Sequence, residues 1–315
     1  MSVLICGSMA FDNIMVFEGR FREHILPDQV HILNVAFLVP EMRREFGGCA
    51  GNIAYNLKML AARPEEEPFI MAAVGEDADP YFTRLKNLGL DTRHVSVIPE
   101  TFTAQAFITT DLDDNQITAF HPGAMNSAQV NHVSDAQGVS LGIVAPDGRD
   151  GMLLHAREFE EAGVPFIFDP GQGLPMFSGP ELRDFIRRAE YVAVNDYEAR
   201  LIEEKTGYDV EDLAREVKGF VVTRGAEGSY IYSDGQRLDI PSVGAVSVVD
   251  PTGCGDAYRA GLLFGIVNGL EWEETGRLAS IMGSIKIAQR GAQNHRTTRE
   301  EIGAMYANLF GFSLW

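Results

Sequence analysis

Asp250-Pro251-Thr252-Gly253-Cys254-Gly255-Asp256 leads directly into Ala257-Tyr258-Arg259-Ala260-Gly261-Leu262-Leu263, a run of helical character. Two glycines in three residues let the backbone turn tightly and come close to a ligand. A helix that starts there directs free N–H groups and the positive end of its dipole into the turn. Such a turn is an anion site, suited to a phosphoryl group in transfer. A carboxylate at its rim, Asp256, repels phosphate and so needs a task. Accepting a proton from an attacking hydroxyl is one. Taken alone, the stretch also allows a glycine-rich turn with Asp256 as an ordinary N-cap.

Outward from this stretch, short apolar runs alternate with helical patterns. Strands are expected at 3–6, 69–74, 141–144, 166–168, 191–194 and 219–222, and helices at 51–62, 80–88, 148–162, 179–188, 196–206 and 257–269. Strands alternating with helices imply parallel crossovers and a sheet covered on both faces. The expected class is therefore α/β, a Rossmann-like domain with a mostly parallel central sheet flanked by helices. Ligands of such sheets collect at the carboxyl ends of the strands. Ser8, Asp12, 169–172, Asn195, 223–228 and 250–256 all follow expected strands.

Two segments interrupt the alternation. One holds the β-prone run Val30–Val39; the other reads as a hairpin, 103–110 and 116–120, around Asp113-Asp114-Asn115. Paired, they would make a small β-sheet lid of residues 14–44 and 100–121, leaving 1–13, 45–99 and 122–315 as the large domain. A lid of this kind has an apolar face that needs a ligand, the main domain or a second subunit to cover it.

The composition narrows the partners. A net charge of −19 over 315 residues disfavours nucleic acid and anionic membranes. Three dispersed cysteines (Cys6, Cys49, Cys254) fit a reducing cytosol and argue against a disulfide framework or a zinc site. The first residues lack a basic n-region, and no run reaches the roughly 18 apolar residues of a membrane helix. A cytoplasmic protein is expected.

Other motifs allow local readings as well. Gly47-Gly48-Cys49-Ala50-Gly51-Asn52 precedes a helix, and its bare backbone and Asn52 amide suit a polar ligand or simply a tight helix start. Asp12 can accept from two neighbouring sugar hydroxyls or serve a turn. Thr223-Arg224-Gly225-Ala226-Glu227-Gly228 suits nucleotide phosphates or a plain turn between strands. Asn195 and Glu198 stand three apart at a helix start, as a capping box or as second partners of Mg²⁺-bound water.

In order along the chain, these motifs resemble the ribokinase-like (PfkB) small-molecule kinases, and the resemblance covers essentially the whole sequence. Within that family the chain looks most like bacterial adenosine kinases, through 7–12, Gly19-Arg20-Phe21, 33–39, 120–125 and 195–198. The resemblance implies a ribokinase fold and transfer of the ATP γ-phosphate to the 5′-hydroxyl of adenosine. A sugar kinase or another ribonucleoside kinase of the family is the alternative. It implies Asp256 as general base and the N–H groups of Gly253, Cys254 and Gly255 as the anion hole. Asp12, with Gly48 and Asn52, would hold the ribose; Ser8, Phe120 and Gln172 would surround the purine. Asn195, Thr223, Arg224, Gly225 and Gly228 would meet ATP. Glu198 would act on Mg²⁺ through water, and Asp250 is the candidate for a monovalent cation such as K⁺. A homodimer through the lid is implied too. Two departures from the family pattern stand out. Cys254 replaces the usual alanine and suggests sensitivity to oxidation. Arg259 is left to approach phosphate or to face solvent.

Overall fold

Ser2–Cys6 forms β1, whose side chains divide between two cores: Val3 and Ile5 on one face, Leu4 and Cys6 on the other. A strand buried on both faces needs layers on both sides. The computed structural model, which describes residues 2–25, 34–63, 66–113 and 115–315, supplies them. After β1 the chain leaves the main sheet through β2 (Ala10–Val16), the one-turn α1 (Phe21–His24) and β3 (Glu41–Gly47). It returns through α2 (Cys49–Leu60), β4 (Phe69–Val74), α3 (Asp79–Leu88) and β5 (Asp91–Val97). A second excursion makes the hairpin β6 (Ala104–Thr110) and β7 (Gln116–His121). Alternation resumes with β8 (Val139–Val144), α4 (Arg149–Glu161), β9 (Phe166–Phe168), α5 (Gly179–Arg188) and β10 (Tyr191–Asn195). Then come α6 (Asp196–Thr206), α7 (Val210–Ala214), β11 (Gly219–Thr223), β12 (Ser229–Ser233) and β13 (Gln236–Ile240). Helices α8 (Cys254–Val267), α9 (Trp272–Ile287) and α10 (Arg299–Phe310) follow.

The main sheet has nine strands in the order β13-β12-β11-β10-β9-β8-β1-β4-β5. Pairing is parallel from β5 to β11 and antiparallel for β12 and β13. Strand order reverses between β1 and β8, and the crevice beyond their carboxyl ends is where such sheets bind ligands. Ser8 lies there, its N–H on the carbonyl of Pro146 (3.0 Å).

The described part of the apolar β-prone run expected at 30–39 forms no strand. Residues 30–33 lie outside the described residues, 34–39 are irregular, and the charged Glu41–Gly47 pairs with β2 instead. Phe37 is committed elsewhere, its ring 4.9 Å from those of Phe17 and Phe21. The small sheet runs β3-β2-β6-β7, so its first segment begins at Ala10 and ends with β3 at Gly47, beyond the expected 14–44. One row across it reads Glu45, Asp12, Ala106, Phe120. Residues directly opposite share a face, so all four point the same way.

α9 and α10 carry no clear periodicity because small residues dilute it. At Gly261 an added Cβ would lie 2.5 Å from the Cα of Ala279, and at Gly265 it would meet Thr275 Oγ1 at 2.4 Å. α8 and α9 therefore touch backbone to backbone, and α9 is buried nearly all round.

Candidate active site

Gly253 opens α8 in the left-handed region (φ 78°), where a Cβ would press on that of Ala292 at 2.8 Å. The Cys254 N–H closes the turn on the Pro251 carbonyl (3.1 Å). Of the three amides expected to form an anion hole, this one is therefore engaged within the loop. The helical ladder begins with Ala257 N–H on the Gly253 carbonyl (3.0 Å), so the amides of Gly255 and Asp256 lie in the first turn ahead of it. Asp256 is half-buried there, and its Oδ2 accepts from the Asn52 amide (2.8 Å). Burial pushes its carboxyl up to about 6; Asp169 adds to the rise, while Asn52, Arg259 and the Cys49 thiol oppose it.

Asn52 is aimed by a relay with little trace in the local sequence. Its Oδ1 accepts from Gln293 Nε2 (3.0 Å), which also donates to the Tyr81 hydroxyl (2.7 Å). That hydroxyl donates to the Gly47 carbonyl (2.7 Å). Gln293 is fully buried, some 240 positions from Asn52, on the loop between α9 and α10. Its only trace in the sequence is the polar cluster Gly291-Ala292-Gln293-Asn294-His295 between two apolar stretches. Sequence reasoning missed it and Tyr81.

The segment from Ser8 to Gly48 meets the start of α2. Ser8 Oγ accepts from the Cys49 N–H (3.2 Å), and its carbonyl accepts from the Ala50 N–H (2.9 Å). Gly48 has φ 85°, and a Cβ on it would lie 2.6 Å from both Ala10 N and the Ser8 carbonyl. Asp12 lies against Gly47, where an added Cβ would be 2.5 Å from Oδ2. Burial, helped by Glu45 and Asp250, pushes the Asp12 carboxyl up to about 6. Phe120 is 53% exposed on the Asp12 face of the small sheet, with the small Ala106 between them. Gln172 is exposed on the turn Gly171–Met176 that follows β9.

The strand ends farther along the sheet gather the remaining residues. Asn195 caps α6: its Oδ1 accepts from Glu198 N–H (2.8 Å), and Glu198 accepts from Asn195 N–H (2.7 Å) and Nδ2 (2.8 Å). Thr223 is the register partner of Asn195 on β11. The turn after it depends on Gly225 (φ 54°) and Gly228 (φ 89°). Arg224 folds back on that turn, donating to Glu227 Oε2 (2.7 Å) and lying 3.8 Å over the Tyr230 ring. Arg259 neither meets solvent nor presents a free guanidinium. It is buried and grips both oxygens of Asp169 (3.1 Å each) and the Ala193 carbonyl (3.2 Å). Its charge acts on both Glu198 and Asp256, linking the two ends of the site.

Asp250 has its carboxylate occupied, Oδ1 by the Thr252 N–H (2.9 Å) and Oδ2 by the Gly291 N–H (2.8 Å). Cys254 is shielded, and burial pushes its thiol up to about 11. A protonated thiol is a poor nucleophile, which weighs against the sensitivity to oxidation expected for Cys254.

A doubly wound sheet, a glycine turn at a helix start and a separate small sheet are together the ribokinase architecture, a fold of phosphotransferases. The model of the pfkB family of carbohydrate kinases matches residues 14–299, and the chain belongs to that family. It is an ATP-dependent phosphotransferase. It is 54% identical to Burkholderia thailandensis nucleoside kinase solved with inosine, at a TM-score of 0.89 and with 99% of each chain covered. In the ADP-inosine complex of that protein the values are 55% and 0.86, covering 99% of this chain and 97% of the other. A Methanocaldococcus jannaschii nucleoside kinase is 30% identical over 271 residues, 85% of this chain and 88% of its own. Among the described residues, no helix is long and apolar enough to cross a membrane.

Proposed function

We propose that this chain phosphorylates the 5′-hydroxyl of purine ribonucleosides, with adenosine as first acceptor and inosine as second. The observation that carries the proposal is the shared row of Asp12, Ala106 and Phe120. It sets a carboxylate for vicinal hydroxyls about two strand spacings, ~10 Å, from an exposed aromatic face. That separation suits a ribose with a flat base attached. Inosine enters because the 54% identical Burkholderia kinase was solved with it.

In this reading Asp256 takes the proton of the attacking hydroxyl, and the Asn52 amide fixes the carboxylate that does so. The first-turn amides of α8, with Gly253, receive charge developing on the transferred phosphoryl group. Gly48 brings bare backbone to the ribose, while Ser8, Phe120 and Gln172 border the base. Asn195, Thr223, Arg224, Gly225 and Gly228 line the ATP side. Among the described residues, no three His, Cys, Asp or Glu side chains gather as a metal site. A Mg²⁺ would therefore enter with the ATP phosphates and keep most of its waters, with Glu198 acting on those waters. When bound it offsets phosphate charge. The product returns free nucleoside to the nucleotide pool, which makes this a salvage reaction of the cytoplasm, where ATP is made.

The outer face of the small sheet exposes Met42 (69%), Phe107 (43%) and Ile117 (43%). We read this face as a homodimer contact and the inner face as the lid over the acceptor. The substrate assignment is tested with 5′-deoxyadenosine and adenosine. The first is expected to inhibit competitively without releasing ADP, and the second to yield a phosphomonoester coupled to the 5′ methylene in ³¹P NMR. Phosphate found on a 2′ or 3′ oxygen would reject the proposed orientation.

A further inference from the structure

Lys286 reaches two loop carbonyls beside the turn that opens α8. It stands in the last turn of α9, where a positive charge also suits the helix dipole. The residue is fully buried. Its Nζ donates to the Asp250 carbonyl (2.7 Å) and to the Gln289 carbonyl (3.2 Å). An isolated ammonium so placed is costly unless dipoles or charges hold it. Burial does pull the Lys286 ammonium below its ordinary value, while Asp250, Cys254 and Asp256 pull the other way.

The two carbonyls belong to the two loops that build the proposed catalytic corner. One is the approach to the anion turn, which α9 also grips through Ile287: its carbonyl accepts from the N–H groups of Val249 (2.9 Å) and Asp250 (3.1 Å). The other leads to Gly291, Ala292 and Gln293, which respectively bind Asp250, leave no room for a Cβ on Gly253 and aim Asn52. A cation at this junction therefore sets the anion turn and the partner of Asp256 together. An ammonium resembles K⁺ in charge and size, and it takes carbonyl oxygens in the same way.

We infer that Lys286 is a tethered replacement for a monovalent cation: its ammonium joins the 249–253 and 289–293 loops, so phosphoryl transfer by this chain needs neither K⁺ nor Na⁺. Lys286 is a positioning residue and touches no substrate. The inference rests on reading Gly253 to Asp256 as the phosphoryl site.

The test compares the full-length protein with Lys286→Ala, in tetramethylammonium chloride and in potassium chloride at equal ionic strength, with Mg-ATP and adenosine. The wild-type rate is expected to change less than about twofold between salts. Lys286→Ala is expected to lose about 10- to 100-fold in kcat with a smaller change in the adenosine KM, and to recover part of it in K⁺ or NH₄⁺ but not Li⁺. Its melting temperature should rise in K⁺ relative to tetramethylammonium, while that of the wild type stays level. The melting comparison needs no turnover, so it tests the tethered cation even if adenosine is the wrong acceptor. Strong activation of the wild type by K⁺ overturns the inference. So does a Lys286→Ala defect that no small cation repairs in rate or in melting temperature, which would mark a packing role.

Discussion

Asp256, the proposed base, has a raised carboxyl pKa because burial opposes its charge more than Asn52, Arg259 and Cys49 support it. Its folded value, about 6, lies above the ordinary 3.8. Between those values the native state binds the proton more tightly than the unfolded chain, so stability falls as pH rises through that window. At pH 7 the ionised carboxylate costs the fold at most about 3 kcal/mol, and less in so far as water reaches it. Asp256→Asn should therefore lower kcat by about 10²–10⁴ while leaving the melting temperature at pH 7 unchanged or higher. Steady-state kinetics and a thermal melt on one preparation check both halves, and near-full activity would remove Asp256 from the base role. The pH profile is a second check. Asp12 and Asp256 both titrate near 6, so kcat/KM for the acceptor should fall below that pH with a slope steeper than one. A limb centred near 4 would show that burial does not control these groups. At this scale the sequence marks Asp256 and Asn52 plainly, since both lie beside glycines at helix starts. It hides Arg259, Gln293 and Lys286. Apart from the Gln289 carbonyl beside Lys286, their partners are buried groups or carbonyls 36 to 241 positions away, and local pattern carries no trace of such pairs.

Elements were legible where one period dominates. α5 and α6 fall on 179–188 and 196–206 as expected, each closed by caps that the sequence displays. β2 and β3 were not, because Glu41–Gly47 is charged and owes its strand state to pairing with β2 rather than to propensity. β5, a half-exposed edge strand with Arg93 and His94, was hidden for the same reason. The junction between small sheet and α2 turns on Gly48. Gly48→Ala puts a Cβ against backbone at a positive φ and should cost about 2–3 kcal/mol. A urea denaturation series measures this, and a loss under about 0.5 kcal/mol would show that the turn can relax. On β7, Phe120→Ala should raise the nucleoside KM about 5- to 100-fold, the worth of one base–aromatic stack, with kcat little changed. An unchanged KM would move the base away from this strand.

The whole molecule places its chemistry where two sheets face one crevice. Strand-order reversal opens the crevice between β1 and β8, α8 points its amino end at it, and the small sheet bears Asp12 and Phe120 on one face. The opposite face, with Met42, Phe107 and Ile117, calls for cover at this exposure. Light scattering at micromolar concentration should report a dimer, and Phe107→Glu a monomer; a wild-type monomer would leave that face unexplained. Large-scale architecture was readable from the alternation of strands and helices, and the chemistry from the motifs at strand ends. The acceptor was less so, because the row proposed to hold it joins three residues on different strands. The most direct measurement of the central claim is ADP release from Mg-ATP, with adenosine, inosine, guanosine, ribose and fructose supplied separately. Rapid turnover with adenosine and inosine at micromolar concentration, and little with either sugar, is the expected result. Preference for a free sugar would contradict the account, leaving the family and the role of Asp256 intact but assigning the Asp12–Phe120 row to another ligand.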